Sequence, residues 1–292
     1  MTFPGVFLKK KNYLFTLVIF AAIAGLLFIT LKEKPHERQH RKPHPAIPAT
    51  RKLSIPERPE GRPAQAPAEA PAPAASVAII IDDMGNDIRQ LEEVEALKEP
   101  IAVAVLPGQR SSSAVVKRAR QAGLDVLLHL PMQPREKVAG LGQGALMEGM
   151  GPEAIKETLD RDLASVGPVE GVNNHMGSGL TADRQAMLSL MRLLKERGLF
   201  FVDSRTTAAS EAYRAAEEEG VKAASRDVFL DDSNNPADIR AQFELLERIA
   251  LKRGSALAIG HPRPATLAAL RDELPTLKSK GIRVARVTEL VK

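Results

Sequence analysis

The chain has 292 residues, 44% of them apolar, with 41 Lys/Arg against 36 Asp/Glu and no cysteine. Twelve of the cations and only four of the anions fall in residues 1–62, so the remaining 230 residues carry a net −3. The basic balance is a property of the N-terminal arm and gives no support to a nucleic-acid-binding face on the rest. Without cysteine there is no disulfide framework, no thiolate nucleophile and no cysteine-held zinc, and any metal must be bound by imidazole and oxygen.

Tyr13 to Leu31 contains no charged residue and is long enough to cross a bilayer, which takes about 20 helical residues at roughly 1.5 Å each. An uncleaved signal anchor is expected at 13–31. Its alternative is a cleaved signal peptide, but the run exceeds the roughly 7–15 residues of such an apolar segment, and no small-x-small site follows Leu31 at once. Lys9, Lys10 and Lys11 precede it, which makes residues 1–12 a cytoplasmic basic segment. The rest of the chain is then expected on the outer side of a bacterial inner membrane, in the periplasm. Residues 32–75 are rich in Pro, Ala, Arg and Lys and lack apolar periodicity. They are expected to form a disordered linker, extended at about 3.1 Å per residue. His36, His40 and His44 are spaced four apart there, but Pro35, Pro43, Pro45 and Pro48 oppose the helix that would gather them.

From Ser76 onward, short β-like runs alternate with helical stretches, the pattern of βα units around a parallel sheet. Strands are expected at 77–82, 101–106, 125–130, 169–174, 199–203, 222–230, 255–260 and 282–287. Helices are expected at 87–98, 111–122, 152–165, 182–197, 208–219, 236–252 and 264–279. Met187, Leu188, Leu190, Met191 and Leu194 bury one helix face, so those methionines belong to the core rather than to a metal. A single α/β domain of barrel type fits this count, and a doubly wound sheet stays open.

Four strand ends carry chemistry. Ile79-Ile80-Ile81 runs into Asp82-Asp83, Val126-Leu127-Leu128 into His129, Gly171-Val172-Asn173-Asn174 into His175, and Leu257-Ala258-Ile259-Gly260 into His261. Adjacent carboxylates repel, and a cation on one leaves the other free as a base; a helix cap by Asp83, Asn86 or Asp87 explains the pair equally well. His129 precedes Pro131 and is expected at a loop edge, and His175 sits in a polar turn with Gly177 and Gly179. Each histidine alone reads as readily as a hydrogen-bonded core residue. Together on the C-terminal rim of a parallel barrel, where active sites gather, they point to a metal or acid–base centre. Gly177-Ser178-Gly179 is no strand-to-helix nucleophile elbow, and Gly140, Gly142 and Gly144 open no helix after a strand, so a mouth loop is the simpler account.

Residues 76–292 resemble the divergent polysaccharide deacetylases, distant relatives of the NodB-type carbohydrate deacetylases. The resemblance is carried by Ile81-Asp82-Asp83-Met84-Gly85, Ala104-Val105-Leu106-Pro107, Leu128-His129-Leu130-Pro131-Met132, Gly171-Val172-Asn173-Asn174-His175-Met176-Gly177-Ser178, Phe201-Val202-Asp203-Ser204 and Ile259-Gly260-His261-Pro262. It implies a distorted (β/α)7-type barrel, a divalent metal such as zinc, and hydrolysis of N-acetyl groups from a polysaccharide or peptidoglycan glycan. It also implies Asp82 as base, Asp83 as metal ligand and His261 as acid. The NodB-type pattern has two histidines four apart where this chain has His129 and Gln133. An amide is a poor zinc ligand beside imidazole, so His175 is the expected replacement, giving Asp83, His129 and His175. Asn173 and Asn174 are expected at the sugar. Asp203 either orients His261, touches the sugar or caps a helix, and Asp231-Asp232-Ser233-Asn234-Asn235 either lines the groove or caps the helix at Pro236. The competing class is a catalytically inactive carbohydrate-binding or wall-enzyme-interacting scaffold of the same fold. The absence of Trp, with Tyr213 the only tyrosine beyond the anchor, leaves either class to recognise sugar through polar contacts.

Overall fold

The computed structural model describes residues 75–136, 141 and 144–292. The expected anchor, the linker up to residue 74 and the linker histidines lie outside the described residues, as do Gly140 and Gly142. Among the described residues no helix is long and apolar enough to cross a membrane.

Nine strands form one sheet: β1 (Ala75–Met84), β2 (Ala102–Val105), β3 (Val126–Met132), β4 (Gly171–Met176), β5 (Phe200–Asp203), β6 (Ala223–Ser225), β7 (Val228–Phe229), β8 (Ser255–Gly260) and β9 (Ile282–Val284). Their order is β6-β5-β4-β3-β2-β1-β8-β7, with β9 also on β1, and every ladder is parallel. Parallel strands need crossovers. Helices Ile88–Glu95, Ser112–Gln121, Pro152–Val166, Arg184–Glu196, Ala212–Glu219, Pro236–Arg253 and Pro264–Ser279 supply them.

The period-2 alternation of side chains divides the core. Val77, Ile79 and Ile81 of β1 face the large cluster shared with the crossover helices. Ala78 and Ile80 join Ala102, Ala104, Leu127, Phe200, Val202, Leu257 and Ile259 in a second cluster on the concave side. Each fully buried Ile or Leu contributes about 1.5–3 kcal/mol, and strands buried on both faces read as the unbroken apolar runs seen in the sequence. Since the crossover helices cover one face only, the sheet is a curled half-barrel consistent with a distorted (β/α)7 fold, and the doubly wound alternative falls away.

Two expected strands are corrected. The run 222–230 is two strands, because the chain bends at Arg226-Asp227 and changes partners. Arg226 N–H donates to Asp203 O on the β5 side, and Asp227 N–H to Leu257 O on the β8 side. The expected strand 282–287 stops at Val284, and Val287–Leu290 is a short helix. Buried Asp125 accepts from Thr288 N and Oγ1 and pairs with Arg286, which seats that turn against the concave cluster.

Candidate metal centre and its flanking acid and base

All four chemistry-bearing strand ends meet on one rim. β3 and β4 pair His129 with Asn173 and Pro131 with His175, while β1 and β8 pair Ile81 with Gly260, so Asp82 and His261 follow side by side. Successive residues of a regular strand point to opposite faces, yet Asp82 and Asp83 both reach the centre. The β1–β2 register shifts between Ile81 and Met84, and Asp83 takes the left-handed conformation at φ 59°. An irregularity of this kind re-aims a side chain next to a site, and for a non-glycine residue it costs of order 1–2 kcal/mol.

His129 is inside β3 rather than at a loop edge, because the strand runs on through Pro131 to Met132. Pro131 is tolerated because the β2 ladder ends at Val105–Leu128, so no neighbour on that side calls for its missing N–H. His175 is likewise in β4, one residue before a turn in which Met176 and Gly177 take φ 55° and 90°. A Cβ on Gly177 would come within 2.9 Å of Met132 Cβ, so glycine is required there both sterically and conformationally.

Asp83 Oδ1 lies 3.0 Å from His175 Nδ1 and 3.2 Å from His129 Nε2, and the two imidazole nitrogens are 3.1 Å apart. Asn173 fixes the state of His129. Its Nδ2 donates to Asp82 Oδ1 at 2.8 Å, which turns its Oδ1 toward His129 Nδ1 at 2.9 Å. His129 Nδ1 therefore carries the proton and Nε2 presents a lone pair to the centre. Asp83 Oδ1 is buried without a well-aligned donor among the described residues. Two imidazoles crowded around such an orphaned carboxylate oxygen make, with it, a donor set that fits a divalent ion of the zinc type.

Charge follows geometry. Burial pushes Asp82 upward, outweighing the lowering by His129, Asn173 and His261. Burial also acts to raise Asp83, but His129 and His175 beside it hold it well below the usual carboxylate range. His129 would be lowered by burial and is raised by Asp82 and Asp83. His261 would be lowered by burial and is raised chiefly by Asp231. That partner is fully buried. Its Oδ1 sits 2.9 Å from His261 Nδ1, and its Oδ2 accepts from His261 N at 2.8 Å and Thr266 Oγ1 at 2.6 Å. His261 Nε2 then faces Asp83 Oδ2 at 3.7 Å.

The remaining expected residues take other places. Asn173 is 0% and Asn174 1% exposed, and Asn174 bonds Ser204 N and Met176 O; both amides are hydrogen-bonded within the protein, and Asn174 also lines the groove above the centre. Asp203 accepts from Arg205 N and Ser210 Oγ, so it braces a turn, and Asp231 orients His261 instead. Asp231 carried the same signal as Asp82, a carboxylate directly after an apolar strand run, and the capping reading masked it. Gln133 is turned away from the centre, its Oε1 accepting from Glu148 N at 2.9 Å. Above the centre lies a groove of about 700 Å³ walled by Met176, Arg205, Arg226 and Phe229 among others. Arg226, which the sequence reading passed over, donates to Ser204 O and Arg205 O and lies over Phe229.

The curled parallel sheet carries an Asp-His-His cluster that could hold a metal ion, flanked by a buried carboxylate and an Asp-backed histidine. The chain belongs to the divergent polysaccharide deacetylase family, whose model matches residues 79–291. It is 41% identical over 203 residues to an uncharacterized protein of Haemophilus influenzae, covering 70% of this chain and 72% of that one. It is 40% identical over 195 residues to the uncharacterized protein YibQ of Escherichia coli (strain K12), covering 67% of this chain and 61% of that one. In fold it is similar to the crystal structure of an uncharacterized protein from Agrobacterium tumefaciens C58, with TM-score 0.71, 24% identity and coverage of 77% and 92% of the two chains.

Proposed function

We propose that the protein is a metal-dependent hydrolase that removes N-acetyl groups from a polysaccharide or peptidoglycan glycan. The observation that carries this reading is the meeting of Asp83 Oδ1, His129 Nε2 and His175 Nδ1 within 3.2 Å of one another, with Asp82 and His261 beside them. Those three residues hold the ion, zinc by donor chemistry. When bound, such an ion supplies a Lewis acid that polarises an amide carbonyl and acidifies water.

Asp82 is the base. Its Oδ1 is fixed by Asn173, its Oδ2 is turned toward the cluster 3.6 Å from His129 Nε2, and burial keeps its proton affinity above that of a solvated carboxylate. It accepts the proton of the attacking water. His261 is the acid. The carboxylate of Asp231 holds the proton on Nδ1 and favours the imidazolium, so that Nε2–H is available to the departing amine. Asn173 keeps His129 and Asp82 in register with each other.

Residues 13–31, as an uncleaved anchor, would hold this domain in the periplasm beside such a polymer. Protease added to intact spheroplasts should then degrade residues 76–292. The chemistry is tested on the detergent-purified full chain by metal analysis together with acetate release from N-acetylglucosamine oligomers and from peptidoglycan. Stoichiometric metal with acetate release that Asp82→Asn abolishes supports the reading. Metal without acetate release would leave the carbohydrate-binding scaffold in its place.

A further inference from the structure

One wall of the groove above the centre carries an arginine with no direct ion-pair partner among the described residues. Arg226 is half-buried. Its Nε donates to Ser204 O at 2.6 Å, its Nη2 to Arg205 O at 2.9 Å, and its guanidinium carbon sits 4.8 Å over the Phe229 ring. Three contacts therefore fix the plane of the guanidinium, while Nη1 makes no hydrogen bond among the described residues. No carboxylate of the described residues forms an ion pair with it within 4.0 Å; Asp82, Asp203 and Asp232 act on it only from a greater distance. A partly desolvated cation without a counter-ion is unfavourable unless something else supplies the anion.

Arg205 strengthens the case. It lines the same groove, is exposed, and makes no ion pair among the described residues. It stands in the left-handed region at φ 47°, where a long side chain is disfavoured and glycine would be at ease. Asp203 Oδ1 holds that conformation by accepting from Arg205 N at 2.8 Å. The turn aims the Arg205 carbonyl at Arg226. Strain of this kind at the edge of a site is kept where its geometry is used.

We infer that Arg226 and Arg205 form an anion subsite, so that the preferred substrate is an amino-sugar glycan bearing a free carboxylate next to the N-acyl group. A planar guanidinium with a free edge matches a carboxylate, and charge-assisted bonds of this kind are roughly twice as strong as neutral ones. Phe229 supplies the apolar floor beneath, and its ring also meets His261 edge-on at 5.5 Å between centroids, which links the subsite to the acid.

This inference rests on the proposed deacetylation for its catalytic arm only, and direct binding tests it separately. The probes are neutral N-acetylglucosamine oligomers, the same oligomers oxidised to the carboxylate at C6, and oligomers carrying a carboxyethyl ether at O3. With the detergent-purified full chain, one or both acidic probes should bind at least tenfold more tightly than the neutral one by titration calorimetry, and the position that wins identifies the kind of polymer. Arg226→Gln and, at an exposed position that folding does not depend on, Arg205→Gln should each reduce that ratio about tenfold, and added salt should weaken binding of the acidic probes selectively. If the acidic probes bind in this way but release no acetate, the subsite stands and the deacetylase reading fails. If the acidic probes bind no more tightly than the neutral one, or if the acidic preference survives both substitutions, the subsite is refuted, and a carboxylate attracted by the metal centre alone would give the latter result.

Discussion

Asp231 grips His261 twice, once on the ring nitrogen Nδ1 and once on the backbone N–H, from a position just beyond β7 that faces the end of β8. The ring cannot turn without breaking a bond to a carboxylate that has no access to solvent. Besides holding the ring for its proposed role as acid, the pair is a tie between neighbouring strands.

That tie should show in the pH dependence of stability. His261 is raised in the fold, so its contribution is full below the unfolded histidine value of about 6.5 and is lost as pH rises through the folded value. Asp231 is lowered, so its contribution is present above the ordinary carboxylate value of about 3.9 and is lost as pH falls through the depressed one. Asp231→Asn should therefore destabilise most between about pH 4 and 6.5, by roughly 3 kcal/mol for a broken buried pair, and less at pH 9. Urea melts in the presence of chelator at pH 5.5 and pH 9 measure this; an equal loss at both would mean that the pair is not ionised. The alkaline limb of the activity profile should also move to lower pH in the variant, since the imidazolium loses the charge that stabilises it.

The strand ends were legible in the sequence because each apolar run stops at a polar residue, and a parallel sheet delivers all such ends to one rim. His175 could be named as the third candidate ligand because Gln133 left the set one donor short, and the structure brings it beside Asp83 and His129. What periodicity could not show was a change of partner within a strand. The bend at Arg226 that splits 222–230 leaves no composition signal, and with it went the placement of Arg226 and the pairing of Asp231 with His261. The place of Asn173 was hidden for a similar reason: an asparagine in a polar turn and one buried between Asp82 and His129 look alike until register sets His129 opposite it.

Gln133 makes a sharp case. Restoring a histidine there should not add a ligand, since the side chain at 133 is turned to the backbone of Glu148 and the His175 donor already completes the cluster. Gln133→His should leave metal affinity within about threefold of the natural chain and loosen the 144–148 segment through loss of one hydrogen bond, a cost of about 1 kcal/mol. Chelator competition reads the affinity. A rise of tenfold or more would show that the centre is missing a donor at that corner.

Asn173 should act through its neighbours rather than through substrate. Asn173→Ala removes the group that sets the His129 tautomer and leaves Asp82 Oδ1 without its donor and His129 Nδ1–H without its acceptor, so metal affinity should fall by about 10–100-fold, the usual penalty for losing the partner of a liganding histidine. Asn173→Asp keeps an acceptor for His129 Nδ1–H but sets a second carboxylate against Asp82. It should retain metal and lose turnover. If both variants bound metal as the natural chain does, the hydrogen-bond chain from Asp82 to His129 would have no part in holding the ion.

Asp83 carries the clearest conflict between stability and function. It occupies a left-handed backbone position and buries an oxygen that no well-aligned donor satisfies, two costs that a structural residue would not be given. Replacing it with glycine removes both, at the expense of the attraction of His129 and His175 for the carboxylate and of some added freedom in the unfolded chain. In the presence of chelator, Asp83→Gly should therefore be more stable than the natural protein by about 1 kcal/mol, observed as a higher urea midpoint. With zinc added the order should reverse, because a ligand present at about 100 times its dissociation constant stabilises the natural chain by roughly 2.7 kcal/mol, while the variant has lost the carboxylate that binds it. A variant that is less stable in both conditions would place the carboxylate among the structural contacts of the rim and remove the strain argument for a metal at this centre.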